Sequence, residues 1–108
     1  MSKRKEQIIL FLKKEPNDPF LQYALAMEFL AEGNDKKAKE QLLKLTEHFP
    51  EYLPSYLQLG MLFTKEEKKT MAIEILKKGE KLAQVQGNRH TLAEIKSEIQ
   101  NIQLEDIF

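Results

Sequence analysis

At 108 residues the chain is long enough to bury one continuous core and too short for two independent domains, and 42% hydrophobic against 31% charged residues excludes a disordered chain. Seventeen Lys and Arg cancel seventeen Asp and Glu, so no net field draws the molecule to nucleic acid or to an anionic membrane. With no Cys, an opening Met-Ser-Lys-Arg-Lys that leads into an amphipathic pattern, and no apolar run near the roughly 20 residues that span a bilayer, the expectation is a cytoplasmic protein without disulfides or membrane spans.

Helix signals follow one another with little between them, and neither strand alternation nor Asn-Gly hairpin turns occur, so the predicted class is all-α with six helices. The first, over residues 3–14, places Ile8, Phe11 and Leu12 on one side and a Lys-rich, solvated face on the other, and Pro16 prevents its continuation. The second begins at Asp18-Pro19, a capping acceptor followed by proline at the first helical position, and covers 20–32 up to Gly33. A third starts after Asn34 or Asp35 and runs to Pro50, and a fourth starts near Pro54 with Tyr56, Leu59, Gly60, Leu62 and Phe63. The fifth spans 68–86 with Ala72, Ile73, Ile75, Leu76 and Leu82 as its apolar set, closed by Gly87-Asn88. In the sixth, Leu92, Ile95, Ile99 and Ile102 form one narrow stripe, as a terminal cap requires. The ends carry opposite charge: +3 over residues 1–16 and −2 over 87–108.

A fixed shift of 34 residues pairs Leu25 with Leu59, Ala26 with Gly60, Phe29 with Phe63, Ala38 with Ala72, Leu42 with Leu76 and Pro16 with Pro50. Small residues at Ala26, Gly60, Ala38 and Ala72 let paired helices approach, and added bulk there overpacks. In this order and spacing the residues resemble the tetratricopeptide repeat family over about 19–86. The first unit departs from the pattern at Gln22, in place of the leading aromatic, and at Leu45, in place of a late Ala; the second has Tyr56 at the leading position and Gly79 at the late one. Glu67 stands where the first unit has Gly33, and Gln84 where it has Pro50, so the second turn and the end of the fifth helix are expected to differ, with Thr64 and Glu67 offering a competing capping box.

The resemblance implies a short right-handed α-solenoid of about six antiparallel helices in one domain: a half-repeat helix over 1–16, repeats over 19–52 and 53–86, and a capping helix and tail over 88–108. It further implies a protein-protein interaction module that holds a peptide or partner protein in a concave groove. Projected onto this chain, the family's groove positions are Phe20, Tyr23, Met27, Leu30, Leu57, Met61 and Thr64, a largely apolar set. Aromatic and Met side chains suit binding, and the same stripe also suits packing beneath a flanking helix. Family members that clamp the carboxylate end of chaperone tails use Lys and Asn at positions held here by Tyr23, Met27, Leu57 and Met61, so an apolar anchor fits this lining better than an acidic terminus.

The tail offers a second reading. Leu104, Ile107 and Phe108, with Glu105 and Asp106 among them, can fold back or enter a neighbouring copy, which makes a homo-oligomer the alternative. Catalytic, metal and cofactor sites are not expected. His48 and His90 have no companion cluster, and Gly33, Gly60, Gly79 and Gly87 are isolated, unlike the glycines of a phosphate loop. Pairs such as Glu66-Glu67 arise from composition, and the Lys pairs sit on polar faces near acids, where solvation explains them.

Overall fold

The computed structural model describes residues 2–107. Among these, six helices form: α1 (Lys3–Lys14), α2 (Pro19–Ala31), α3 (Asp35–His48), α4 (Pro54–Lys65), α5 (Lys69–Gln86) and α6 (Arg89–Glu105). The helices group into two compact units, one up to Tyr52 and one from Leu53 onward.

In the first unit α2 and α3 form a hairpin whose interior is Ala26, Ala38, Leu42 and Leu45, all fully buried. Asp18 caps α2 by accepting from the Phe20 and Leu21 amides at 2.9 and 3.3 Å, with Pro19 in the first turn. Helix α1 rests on α2 through buried Ile8 and a set of polar ties. Ser2 Oγ donates to Glu28 Oε1 at 2.8 Å, Arg4 Nε lies 3.6 Å from Glu28, and Lys5 Nζ lies 2.8 Å from Glu32 and 4.7 Å from the centre of the Phe29 ring.

One expectation for α1 is thereby corrected. The Lys-rich face is not wholly solvated, because the Lys5 side chain is only 12% exposed between Glu32 and Phe29. Phe11, on the side of Ile8, is 55% exposed, since α1 leans chiefly on α2 and a helix with one neighbour covers only a narrow stripe.

In the second unit α4 and α5 form the matching hairpin, and α6 packs on both. Its core joins Tyr56, Leu59, Leu62 and Phe63 of α4 with Ala72, Leu76 and Ala83 of α5 and the Ile95, Ile99, Ile102 stripe of α6. The centre of α5 is Ala72, Leu76, Gly79 and Ala83, whereas Ile73, Ile75 and Leu82 are only half-buried. A methyl group at Gly60 would overlap the buried Leu76 side chain, which is why the α4–α5 crossing needs glycine there.

The turn after α4 is another correction. Glu67 adopts φ 62°, the left-handed conformation that Gly33 takes with φ 77° in the first unit, so the second turn repeats the first. The hydrogen bonds match at the same shift: Asn34 N donates to Phe29 O at 2.8 Å, and Lys68 N to Phe63 O at 2.9 Å. No capping box forms at Thr64, whose hydroxyl donates to Gly60 O at 2.9 Å within α4. The end of α5 does differ as expected: with Gln84 in place of proline it continues to Gln86, for 18 residues against 14 in α3, and Gly87 ends it at φ 68°.

Candidate peptide-binding cleft

Tyr56 and Leu59 turn into the core of the second unit, and this leaves Leu57 and Met61 on the opposite, outward side of α4. There they face α6. Leu57 and Met61, together with His90, Ala93, Glu94, Ser97 and Glu98, line an open cleft of about 400 Å³. Leu57 is half-buried and Met61 is 44% exposed, so the floor is apolar and reachable. The α6 side is polar because Ile95, Ile99 and Ile102 take the buried stripe and leave the intervening positions for the rim.

Gly79 lies where α5 meets both helices that flank the cleft. A Cβ built on it would lie 2.7 Å from Tyr56 Cβ and 3.1 Å from Ile95 Cδ1, so α5 approaches α4 and α6 together only because no side chain intervenes. At the far end Lys69 Nζ reaches Asp106 Oδ1 at 2.8 Å and Glu105 Oε2 at 3.7 Å, joining the start of α5 to the end of α6. The hydrogen bond to Asp106 and the two carboxylate charges hold the Lys69 pKa above its ordinary value.

Of the residues expected in a groove, Leu57 and Met61 thus share one cleft. Thr64 is half-buried on the same helix, and its hydroxyl is spent on the Gly60 carbonyl. Phe20, Tyr23, Met27 and Leu30 lie on α2 in the first unit. Phe20 is 64% exposed beside the Asp18 cap, while Tyr23, Met27 and Leu30 are half-buried. The Tyr23 ring leans on Tyr52 at 5.6 Å between centroids and 53° between planes. Burial, and secondarily the Asp18 carboxylate, pushes the Tyr52 phenol above its ordinary pKa.

The α6 contribution was missing from the sequence reading. His90, Glu94 and Ser97 lie three or four residues apart, with Ala93 and Glu98 adjacent, and this spacing alone would have assigned them to one face. His90 Nε2 is 3.3 Å from Glu94 Oε1. The group does not make a nucleophile and base: Ser97 follows His90 by seven helical residues, roughly 10 Å along the axis, beyond the reach of a hydrogen bond. The tail residues Leu104 and Ile107 are 40% and 73% exposed, and Phe108 lies outside the described residues.

Solved proteins share this helical fold. The crystal structure of a tetratricopeptide repeat domain protein from Salinibacter ruber is 30% identical, covers 81% of this chain and 97% of its own, and superposes with a TM-score of 0.78. The chain belongs to the tetratricopeptide repeat family. A solution structure of a tetratricopeptide repeat domain protein from the same organism agrees at 31% identity and a TM-score of 0.76, covering 81% of this chain and 88% of its own. A Bordetella parapertussis protein solved in solution shares the fold at a TM-score of 0.82 and 18% identity, covering 98% of this chain and 92% of its own. No protein-family model and no curated protein matches the sequence. Helices α2–α3 and α4–α5 are two helical hairpins, with α1 packed on α2 and α6 packed on α4 and α5. No helix among the described residues is long and apolar enough to cross a membrane.

Proposed function

We propose that this tetratricopeptide repeat protein is a non-catalytic binding module that seats a segment of a partner polypeptide in the cleft between α4 and α6. The observation that carries the reading is the open apolar floor of Leu57 and Met61, left accessible although α6 packs directly alongside. Met is unbranched and polarizable and adapts to varied side chains, and Leu57 beside it supplies a firmer wall. The partner is a peptide with apolar anchors, and Glu94 and Glu98 on the rim favour cations flanking them.

Affinity capture with wild-type bait and with Met61→Lys bait tests this. Met61 is exposed, so the substitution leaves the core intact while placing a charge on the floor. The wild type retains a partner that the variant loses; equal recovery by a folded variant overturns the cleft as the binding site.

A further inference from the structure

Besides the cleft, the chain leaves a second apolar surface open. On α1, Gln7, Leu10, Phe11 and Lys14 lie together on one face at positions i, i+3, i+4 and i+7. Leu10 is 57% and Phe11 55% exposed. This is the anchor spacing of a helix that lies in a groove.

The charges of the two surfaces are complementary. Residues 1–16 carry +3; within α1, Arg4 and Lys5 are occupied by Glu28 and Glu32, whereas Lys14, at the end of the apolar stripe, makes no ion pair among the described residues. Residues 87–108 carry −2, and Glu94 and Glu98 stand one turn apart on the rim of the α4–α6 cleft. The acidic tail is a poorer occupant, because Glu105 and Asp106 have the sign of the rim and are already held by Lys69.

We propose that α1 of one copy docks in the α4–α6 cleft of a second copy, with Leu10 and Phe11 against Leu57 and Met61 and with Lys14 toward Glu94 and Glu98. The proposal rests on the reading of the cleft as a polypeptide site and names its occupant as a helix of this same chain. The surface offered differs from the surface received, so the contact is heterologous and association proceeds copy by copy, into rings or open chains. Lys14 and Glu94 are exposed and Glu98 is half-buried, so added salt weakens the contact.

Sedimentation of the whole chain over a range of concentrations, in low and high salt, tests the proposal with Phe11→Lys and Met61→Lys. Both residues are exposed, and circular dichroism verifies that the helices persist. The wild type rises in mass above 12.7 kDa with concentration, and each variant alone stays at 12.7 kDa. An equimolar mixture of the two variants associates again and stops at twice the monomer mass, because it combines one intact helix face with one intact cleft. A wild type that stays monomeric, a variant that still associates, or a mixture that stays monomeric each overturns the proposal. If the wild type is monomeric while Met61→Lys still loses a foreign partner, the cleft reading stands and self-docking alone falls. Should a variant fail to fold, Lys14→Glu and Glu98→Lys replace the pair: each lowers association and their combination in one chain restores it.

Discussion

The two helical hairpins fill two register positions in opposite ways. Leu45 in α3 and Gly79 in α5 are 34 residues apart, as are Gln22 in α2 and Tyr56 in α4. One hairpin pairs a modest leading side chain with a large, fully buried leucine; the other pairs a tyrosine with no side chain at all. In the second hairpin Tyr56 Cβ and Ile95 Cδ1 occupy the space that a Cβ on Gly79 would need. What packing constrains at this position is therefore how closely the helices approach: α4 and α6 leave no room for a Cβ at Gly79, whereas Leu45 fills a buried space.

The largest expected effects test that reading directly. Leu45→Ala should cost about 2–5 kcal/mol, because it removes most of a fully buried side chain. Gly79→Ala should also destabilise, although it adds a methyl group and a better helix former. Overpacking costs about 1–3 kcal/mol, against a helix-propensity gain of about 1 kcal/mol. Urea unfolding of both variants gives the two values. An increase in stability for Gly79→Ala would show that α4 and α6 yield freely.

A second contrast lies in the turns, where the backbone is the same and the residues differ. Gly33 and Glu67 both adopt positive φ, and nothing lies within 4 Å of where a Cβ on Gly33 would stand, so its cost of substitution is one of conformation alone. A left-handed residue other than glycine costs about 1–2 kcal/mol. Gly33→Ala should lose about that amount and Glu67→Gly should gain a similar one, seen as midpoint shifts of opposite sign without a change in the dependence on urea. If Glu67→Gly brings no gain, local contacts of the glutamate offset the strain.

Much of this architecture was legible in the sequence because its signals are strong and local. Asp18-Pro19, Gly33, Pro50, Pro54 and Gly87-Asn88 punctuate the helices through caps, fixed φ and positive φ, and all lie at or within two residues of the observed ends. The left-handed turn at Glu67 was not legible, since glutamate has no preference for that conformation and only the repeat register imposes it. The exposure of Phe11 was not legible because periodicity tells which residues share a face and not how many neighbours cover it. The cleft was half legible: Leu57 and Met61 follow from the repeat, whereas the α6 rim depends on how a helix outside the repeat lies on α4.

The smallest effect concerns the residue after each turn. Asn34 accepts from the Lys37 amide at 3.2 Å and Asn88 from the Thr91 amide at 3.0 Å, each capping the helix that follows. Lys68, before α5, has φ −94° and ψ 69°, almost the −95° and 72° of Asn34, yet makes no side-chain cap. A lysine offers only donors, and the unsatisfied groups at a helix start are themselves donors, so Lys68 cannot serve them. Lys68→Asn should stabilise the chain by about 0.5–1 kcal/mol, because the backbone already holds the capping conformation and the exposed contact with Glu66 at 3.8 Å adds little. Thermal unfolding should show a rise of a few degrees, as roughly 1 kcal/mol corresponds to 4–8 °C in a domain of this size. Asn34→Lys should produce the opposite shift at the first turn. An unchanged midpoint in Lys68→Asn would mean that the amides at the start of α5 are already satisfied, and the two turns would then be alike in energy as well as in geometry.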